Sequence, residues 1–398
     1  RFKEAESSTL KAIKLNPNFA DAYLNLGNLF VGLKKYDEAE KYTRKAIKIR
    51  PNCANAYASL GVILTNIGRF KEANECFKAC LNLDKNDLAY NLRCKMIIPY
   101  IPFNQKQIEE SRKELNKQIS IIGNNEKIIL KRELISIDFI FYLAYGNCED
   151  DKSILQNIAT NLSKKNNLIN NRFNTEERIK DSLKRKKIRL GIYSNYLYLH
   201  SVGKSYVKLI EDLNRTDIDV IIIRNENAKE DELSNYIDSI VKETIILPVS
   251  LKESCDLIIN KSIDILFFLD NGMCPRTYLM SLSRLALVQV LAGGHPCTSG
   301  SPNIDYYISS KYLETEDSDK FYSERLIRLS RIPVNYPIPK LTNDTFKRSS
   351  LNLSDNDFLI GLTHTLYKYH PDFDYILDKI LEEIPNAYLF FFEGEKKY

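Results

Sequence analysis

The chain has 398 residues, 44% of them hydrophobic and 27% charged, which fits a globular protein of two or three domains. Its net charge of +5 is small for that length, so nucleic acid is not an expected partner. No run reaches the roughly 18–20 consecutive apolar residues of a membrane span, so no membrane partner is expected either.

The eight cysteines form no C-x-x-C pair, and the nearest two, Cys76 and Cys80, are one helical turn apart. Metal-ligand spacing is absent, and reduced thiols in the cytoplasm are the expectation. The first residues, RFKEAESSTL, begin inside a helical pattern without a Met or a signal peptide. The last, YLFFFEGEKKY, leave an apolar run with no later partner. Both ends read as cut, so the sequence is expected to be a fragment.

In chain order, a repeat comes first. NPNFADAYLNLG (16–27) realigns with RPNCANAYASLG (50–61) at an offset of 34, and KYDEAEKYTRKAIKI (35–49) with RFKEANECFKACLNL (69–83) at the same offset. That is the period of tetratricopeptide helix pairs. Ala22, Gly27, Ala39 and Ala46 are the small residues such pairs need where two helices approach closely. Residues 1–85 are therefore read as tetratricopeptide repeats, whose groove takes protein or peptide partners. Asn25, on the first helix of its repeat, is a candidate to hold an acceptor peptide backbone or to bridge repeats; the second copy carries Ser59 there.

Residues 86–186 read as a helical connector without evident chemistry. The basic run LKRKKIR (183–189) reads as a solvated linker. From 187 the period changes. KIRLGIY (187–193), DIDVIII (217–223), KETIILP (242–248), IDILFFL (263–269) and LALVQVL (285–291) are short β-branched runs. Helical patterns separate them at 205–215, 250–262 and 275–284. Alternation of this kind predicts a parallel sheet wound on both faces, a Rossmann-like domain over 187–340. A second unit starts over 355–398, with strands at 357–362 and 387–393 around a helix at 371–385. The expected fold class is thus α+α/β: an α-solenoid, then a Rossmann-like domain, then the beginning of another.

Ligands of such sheets lie outside the carboxyl ends of the strands. All four histidines, 200, 295, 364 and 370, fall in the loops at those ends. The first loop, GIYSNYLYLHSVGKS, lacks G-x-G-x-x-G, and its GKS lacks the earlier glycine of a phosphate loop because position 198 is Tyr. Two Rossmann units in tandem suit a nucleotide-sugar transferase with the donor in the cleft between them. Lys368, just ahead of Pro371 and a helix start, would neutralise a diphosphate without a metal. The loop LAGGHPCTSG (291–300) combines glycines, a proline, His295, Cys297 and Ser299.

Three ordered segments carry a resemblance. LALVQVLAGGHPCTSGSPNIDYYIS (285–309) resembles P-x-Q-x-x-W-L-G-Y/H-P-G-T-[ST]-G of the tetratricopeptide-linked O-GlcNAc transferase and Spindly glycosyltransferases. IRLGIYSNYLYLHSVGK (188–204) resembles their R-[IV]-G-Y-[VI]-S-x-D-[FL]-x-x-H-P-V-[GA], and LTHTLYKYHPDFDYIL (362–377) their N-x-x-K-[IL]-x-P. The resemblance implies a fold of the GT-B type and transfer of a sugar to Ser or Thr of proteins held by the repeats. It favours UDP-GlcNAc as donor, leaving UDP-glucose and GDP-fucose open, and no cofactor or metal.

By position, the resemblance makes His200 the catalytic histidine near sugar and acceptor, and Lys368 the diphosphate contact. It puts Thr365 and His364 near the nucleotide, and Gly294, His295 and Pro296 in the tight loop against the donor. Departures are Ser201 for the family's proline, Met273 for a frequent histidine, and no tryptophan before the glycine loop. The family's later G-H-T-T-x-x-D element has no counterpart before residue 398, so the fragment is not expected to turn over alone. The other expectation the residues allow is a tetratricopeptide binding module with a degenerate, non-catalytic domain.

Overall fold

The computed structural model describes residues 2–33, 35–99, 101–131, 139–165, 173–293, 297–336, 338 and 347–391. The repeats form α1 (Phe2–Leu15), α2 (Ala20–Gly32), α3 (Tyr36–Ile49), α4 (Ala54–Asn66) and α5 (Phe70–Leu83). Helices α2 and α3, and then α4 and α5, close on small residues. A Cβ on Gly27 would stand 2.3 Å from Thr43 Oγ1, and one on Gly61 2.3 Å from the Phe77 ring. Ala22, Ala39 and Ala46 are buried between the helices, as the repeat pattern requires. Arg69 spans the two repeats, its guanidinium 2.9 Å from both Glu40 carboxylate oxygens.

The connector holds α6 (Leu88–Lys95), α7 (Gln105–Asn124), α8 (Phe139–Leu143), α9 (Asp151–Lys165) and α10 (Thr175–Leu183). Asp87, Asn104 and Asn174 cap α6, α7 and α10 by accepting a first-turn backbone N–H.

Next come β1 (Ile188–Tyr193), α11 (Ser201–Asn214), β2 (Ile218–Asn225), α12 (Glu232–Ile240), β3 (Glu243–Leu247), α13 (Leu251–Asn260), β4 (Ile265–Phe268), α14 (Pro275–Ser281), β5 (Val288–Ala292), β6 (Tyr306–Ser310) and β7 (Arg325–Leu329). The seven strands pair in parallel in the order β3-β2-β1-β4-β5-β6-β7. Strand order reverses between β1 and β4, which makes their carboxyl ends the topological switch point.

Both faces are covered. On β2, Val220 and Ile222 join Val202, Tyr206 and Ile210 of α11 and Ile237 of α12. Ile221 and Ile223 point the other way, into a cluster with Cys255 and Ile258 of α13 and Met280 of α14. That second cluster continues without a break into Leu115 and Ile119 of α7 and Ile154 and Ile158 of α9. The connector therefore shares a core with the sheet.

The last described elements are β8 (Phe358–Leu362), α15 (Asp372–Glu383) and β9 (Ala387–Phe391), with β8 and β9 parallel. Phe358, Tyr375, Ile376, Tyr388, Phe390 and Phe391 on them remain exposed.

Three elements were not expected from the sequence: α12, β6 and β7. Strand β7 shows alternating rather than continuous burial, and α12 buries only Ser234 and Ile237, so neither writes an apolar run. The helix expected at 205–215 starts earlier, at Ser201, because His200 caps it. The helix expected over 275–284 stops at Ser281.

Candidate functional site

At the switch point the carboxyl ends of β1 and β4 face the repeats across a cleft of about 580 Å³. Its walls come from four directions. The repeats supply Val31, Tyr36, Val62 and Asn66; the connector supplies Ile140, Phe141, Tyr142 and Tyr145. The loops after β1 and β4 supply Tyr196, His200, Ser201 and the stretch Gly272–Pro275, and the segment after β8 supplies Tyr367 and Lys368. A volume of this size suits a small-molecule or extended-peptide ligand.

His200 is the N-cap of α11. Its Nδ1 accepts the Val202 N–H at 3.2 Å, and its ring lies 4.7 Å from that of Tyr196 and 5.6 Å from that of Tyr198. Burial, and then the nearby charge of Lys204, lower its pKa below the ordinary imidazole value, so the ring is neutral at pH 7. With Nδ1 engaged as acceptor, the neutral ring carries its proton on Nε2 and is a donor there. Gly203 makes this loop possible. A Cβ at that position would lie 2.1 Å from the Tyr198 carbonyl oxygen.

Lys368 ends a single 3₁₀ turn, Leu366–Lys368, and its Nζ lies 6.0 Å from the centre of the Tyr145 ring. The Tyr367 ring packs edge-on against Phe141, Tyr142 and Tyr145 at 5.3–5.8 Å. Burial and the adjacent Tyr367 push the Tyr145 hydroxyl up to about 12, so it stays protonated. The aromatic wall lies in the connector, where the sequence pointed to no chemistry. The dense aromatic run FIFYLAY (139–145) was its one signal.

The other expected residues divide. His364 and Thr365 are exposed and lie off the cleft walls; the His364 backbone N–H donates to the Tyr369 hydroxyl at 3.0 Å. His370 lies just ahead of α15, its Nδ1 accepting the Asp372 N–H at 3.3 Å, while Nε2 meets Gln105 Oε1 at 3.1 Å. With Asp372 and Asp374 in the first turn of α15, that helix start offers an anion little beyond Lys368. Asn25 is exposed on α2 and does not line the cleft, whereas its counterpart Ser59 is buried. Gly294, His295 and Pro296 lie outside the described residues.

The rest of the glycine loop is structural. Glu324, buried, receives the Thr298 hydroxyl at 2.6 Å and the Ser299 N–H at 2.8 Å. Ser301 donates to the Ser281 carbonyl at 2.8 Å, and Tyr278 to the Ser299 carbonyl at 3.0 Å. Cys297 is buried, its Sγ 3.6 Å from Asp151 Oδ2, and burial holds its thiol well above the usual range. It is an inert filler.

A tetratricopeptide array facing the switch point of a Rossmann-like sheet, followed in the chain by the parallel pair β8 and β9 with α15, is the repeat-linked architecture of a GT-B fold. The sequence comparisons agree: tetratricopeptide repeat models match residues 20–53 and 54–87. A probable UDP-N-acetylglucosamine–peptide N-acetylglucosaminyltransferase SEC of Arabidopsis thaliana is 23% identical over 211 residues, 51% of this chain and 22% of that relative. The chain thus spans about a fifth of the length of the curated relative it matches. Its fold is that of a Thermobaculum terrenum O-GlcNAc transferase mutant, with a TM-score of 0.60 at 19% identity over 96% of this chain and 68% of that one. The chain thus carries tetratricopeptide repeats and shares its fold with an O-GlcNAc transferase.

Proposed function

We propose that this chain forms the acceptor side of a protein glycosyltransferase that moves a sugar, GlcNAc from UDP-GlcNAc in the first instance, onto Ser or Thr hydroxyls of proteins held by the repeats. One observation carries the reading: His200, Lys368 and the repeat residues Val31, Tyr36, Val62 and Asn66 line a single cleft at the switch point. In the reaction the acceptor oxygen bonds to the anomeric carbon from the face opposite the diphosphate. The C1–O bond breaks with its electron pair leaving on the diphosphate, which also takes the hydroxyl proton, and configuration inverts. Lys368 stabilises the charge that develops on the leaving group, in place of a metal.

His200 acts as a donor. To serve as a base at Nε2, it would have to move its proton to Nδ1 and give up the cap to Val202. It therefore orients an acceptor or donor oxygen through Nε2–H. The eight free cysteines fit a reducing compartment, hence a cytoplasmic protein. No helix of the described residues is long and apolar enough to cross a membrane.

The test uses the full-length protein, radiolabelled UDP-GlcNAc and an acceptor protein. Lys368→Ala is expected to slow transfer by about 30- to 1000-fold, the effect of about 2–4 kcal/mol at a leaving phosphate. An unchanged rate would remove Lys368 from the mechanism. Competition by UDP-glucose and GDP-fucose tells the donors apart. Met273, in the cleft where relatives often carry histidine, favours a second reading: a repeat module whose transferase domain only binds. Peptide binding without any transfer would establish that reading instead.

A further inference from the structure

Beneath the floor of the cleft lies a carboxyl group that the reaction above does not use. Asp270 follows β4 and is fully buried. Its Oδ2 accepts the Asn195 backbone N–H at 2.9 Å and the Ser194 hydroxyl at 3.2 Å. Its Oδ1 has no hydrogen-bond partner of good geometry among the described residues. The Thr277 hydroxyl beside it has none either.

The two residues it grips are the first of the loop that ends at His200. Ser194 Oγ in turn accepts the Tyr196 N–H at 3.0 Å. Asn195 reaches sideways, its Oδ1 taking the Asn225 N–H at 3.1 Å and its Nδ2 lying 3.3 Å from Cys274 Sγ. Tyr196 then carries the ring on which His200 rests, and its hydroxyl donates to the Met273 carbonyl at 3.4 Å. One carboxylate thus roots a tree of bonds whose outermost branch is the His200 imidazole.

We propose that Asp270 is a positioning residue: its carboxylate anchors the loop from Ser194 to His200 on the end of β4 and so fixes the direction in which His200 presents Nε2–H to the cleft.

The cost of keeping a carboxyl there supports the assignment. Burial pushes Asp270 up to about 6, and the bonds from Asn195 and Ser194, with the Thr277 hydroxyl nearby, pull back only in part. Tyr193 from β1 and Cys274 at the start of α14 face it; burial raises both, so neither brings a charge. Arg276 of α14, whose charge acts on the neighbouring Tyr193, is taken up by the carbonyls of Pro248, Val249 and Ser250 and the Ser254 hydroxyl. An asparagine could accept the same bonds with no charge to bury. An acid at such a site stands there at the expense of stability, the pattern of a functional position.

The catalytic meaning of the anchor rests on the cleft being the transfer site, but its geometry does not, and the test needs no transfer. Ring signals of His200 are followed by NMR in histidine-labelled protein at pH 8, assigned by their loss in His200→Gln. Their shift reads the stacking on Tyr196. Asp270→Leu is expected to move the His200 signals away from their stacked values and to speed exchange of the Asn195 amide at least tenfold. Asp270→Asn is expected to restore both. In the unmutated protein the Asn195 amide shift is expected to titrate near pH 6, and in Asp270→Asn not to titrate. A folded Asp270→Leu protein with His200 and Asn195 unchanged would overturn the proposal. If Asp270→Leu does not fold, the titration decides alone: an Asn195 amide that fails to follow Asp270 in the unmutated protein, or still titrates in Asp270→Asn, overturns it.

Discussion

His200 and Asp270 illustrate what a residue's neighbours add to its position in the chain. The sequence places all four histidines at the carboxyl ends of strands. It has no means of telling which way each loop faces, and of the described three only His200 lines the cleft. Asp270 left no signal, because a single carboxylate in LDNGMCP looks like any turn residue until burial gives it a raised pKa. That shift has a direct consequence for stability. The folded-state pKa, about 6, lies above the ordinary 3.8, so the folded protein binds this proton more tightly than the unfolded chain does. The contribution is complete below about pH 4, declines as pH rises, and is lost above about pH 6, a swing of about 3 kcal/mol. Asp270→Asn removes it. The variant is expected to be more stable than the parent at pH 8 and to lose that advantage at pH 4.5, as read from urea midpoints at each pH. A difference independent of pH would mean that the Asp270 carboxyl titrates normally.

At the level of elements, the sheet was legible where strands are buried on both faces. Parallel strands in that position write continuous apolar runs, and β1, β2, β4 and β5 each fall within a segment of that kind, as does β3, although it is an edge strand with Ile246 exposed. β6 and β7 lie toward one edge, and RLIRL alternates charge with apolar residues, so it carries no such run. The glycine loop after β5 was legible as a place of constraint, but part of the cause is different. Gly300 has φ +70°, and a Cβ there would meet the Leu155 backbone at 2.2 Å. Its glycine lets the loop lie flat on α9, so at this position the constraint is packing rather than ligand. Gly300→Ala combines a left-handed backbone with a backbone clash and is expected to cost at least about 1–3 kcal/mol. Thermal melting gives the loss, and limited proteolysis should show cleavage moving to residues 297–301. A melting temperature within a degree of the parent would show that the loop can lift from α9 freely.

For the molecule as a whole, the sequence divided repeats, connector and sheet, but not the way they lock together. The repeat period and strand runs are local patterns; the joint depends on pairs far apart in sequence. Arg112 of α7, buried, is its centre. Its Nε lies 2.8 Å from Asp150 Oδ1, its Nη1 donates to the Leu143 carbonyl at 3.1 Å, and its Nη2 pairs with Asp151. Asp151 in turn receives the Cys297 thiol. One guanidinium thereby ties α7, the end of α8 that carries the aromatic wall, the start of α9 and the loop after β5. Replacing it alone strands a largely buried Asp151, so Arg112→Met is expected to cost about 3 kcal/mol. Replacing Arg112 and Asp151 together leaves only the half-exposed Asp150 carboxylate and the Leu143 carbonyl without that partner, so Arg112→Met with Asp151→Asn should recover much of that loss. The same pair separates stability from function. If the joint sets the aromatic wall, the double variant of the full-length protein regains folding stability but binds acceptor peptide more weakly than the parent, because Leu143 and the neighbouring Tyr142 and Tyr145 have lost their tether. Additive costs for the two substitutions in urea melts, with peptide affinity unchanged in the double variant, would mean that the wall is held by its own aromatic packing and that Arg112 couples nothing.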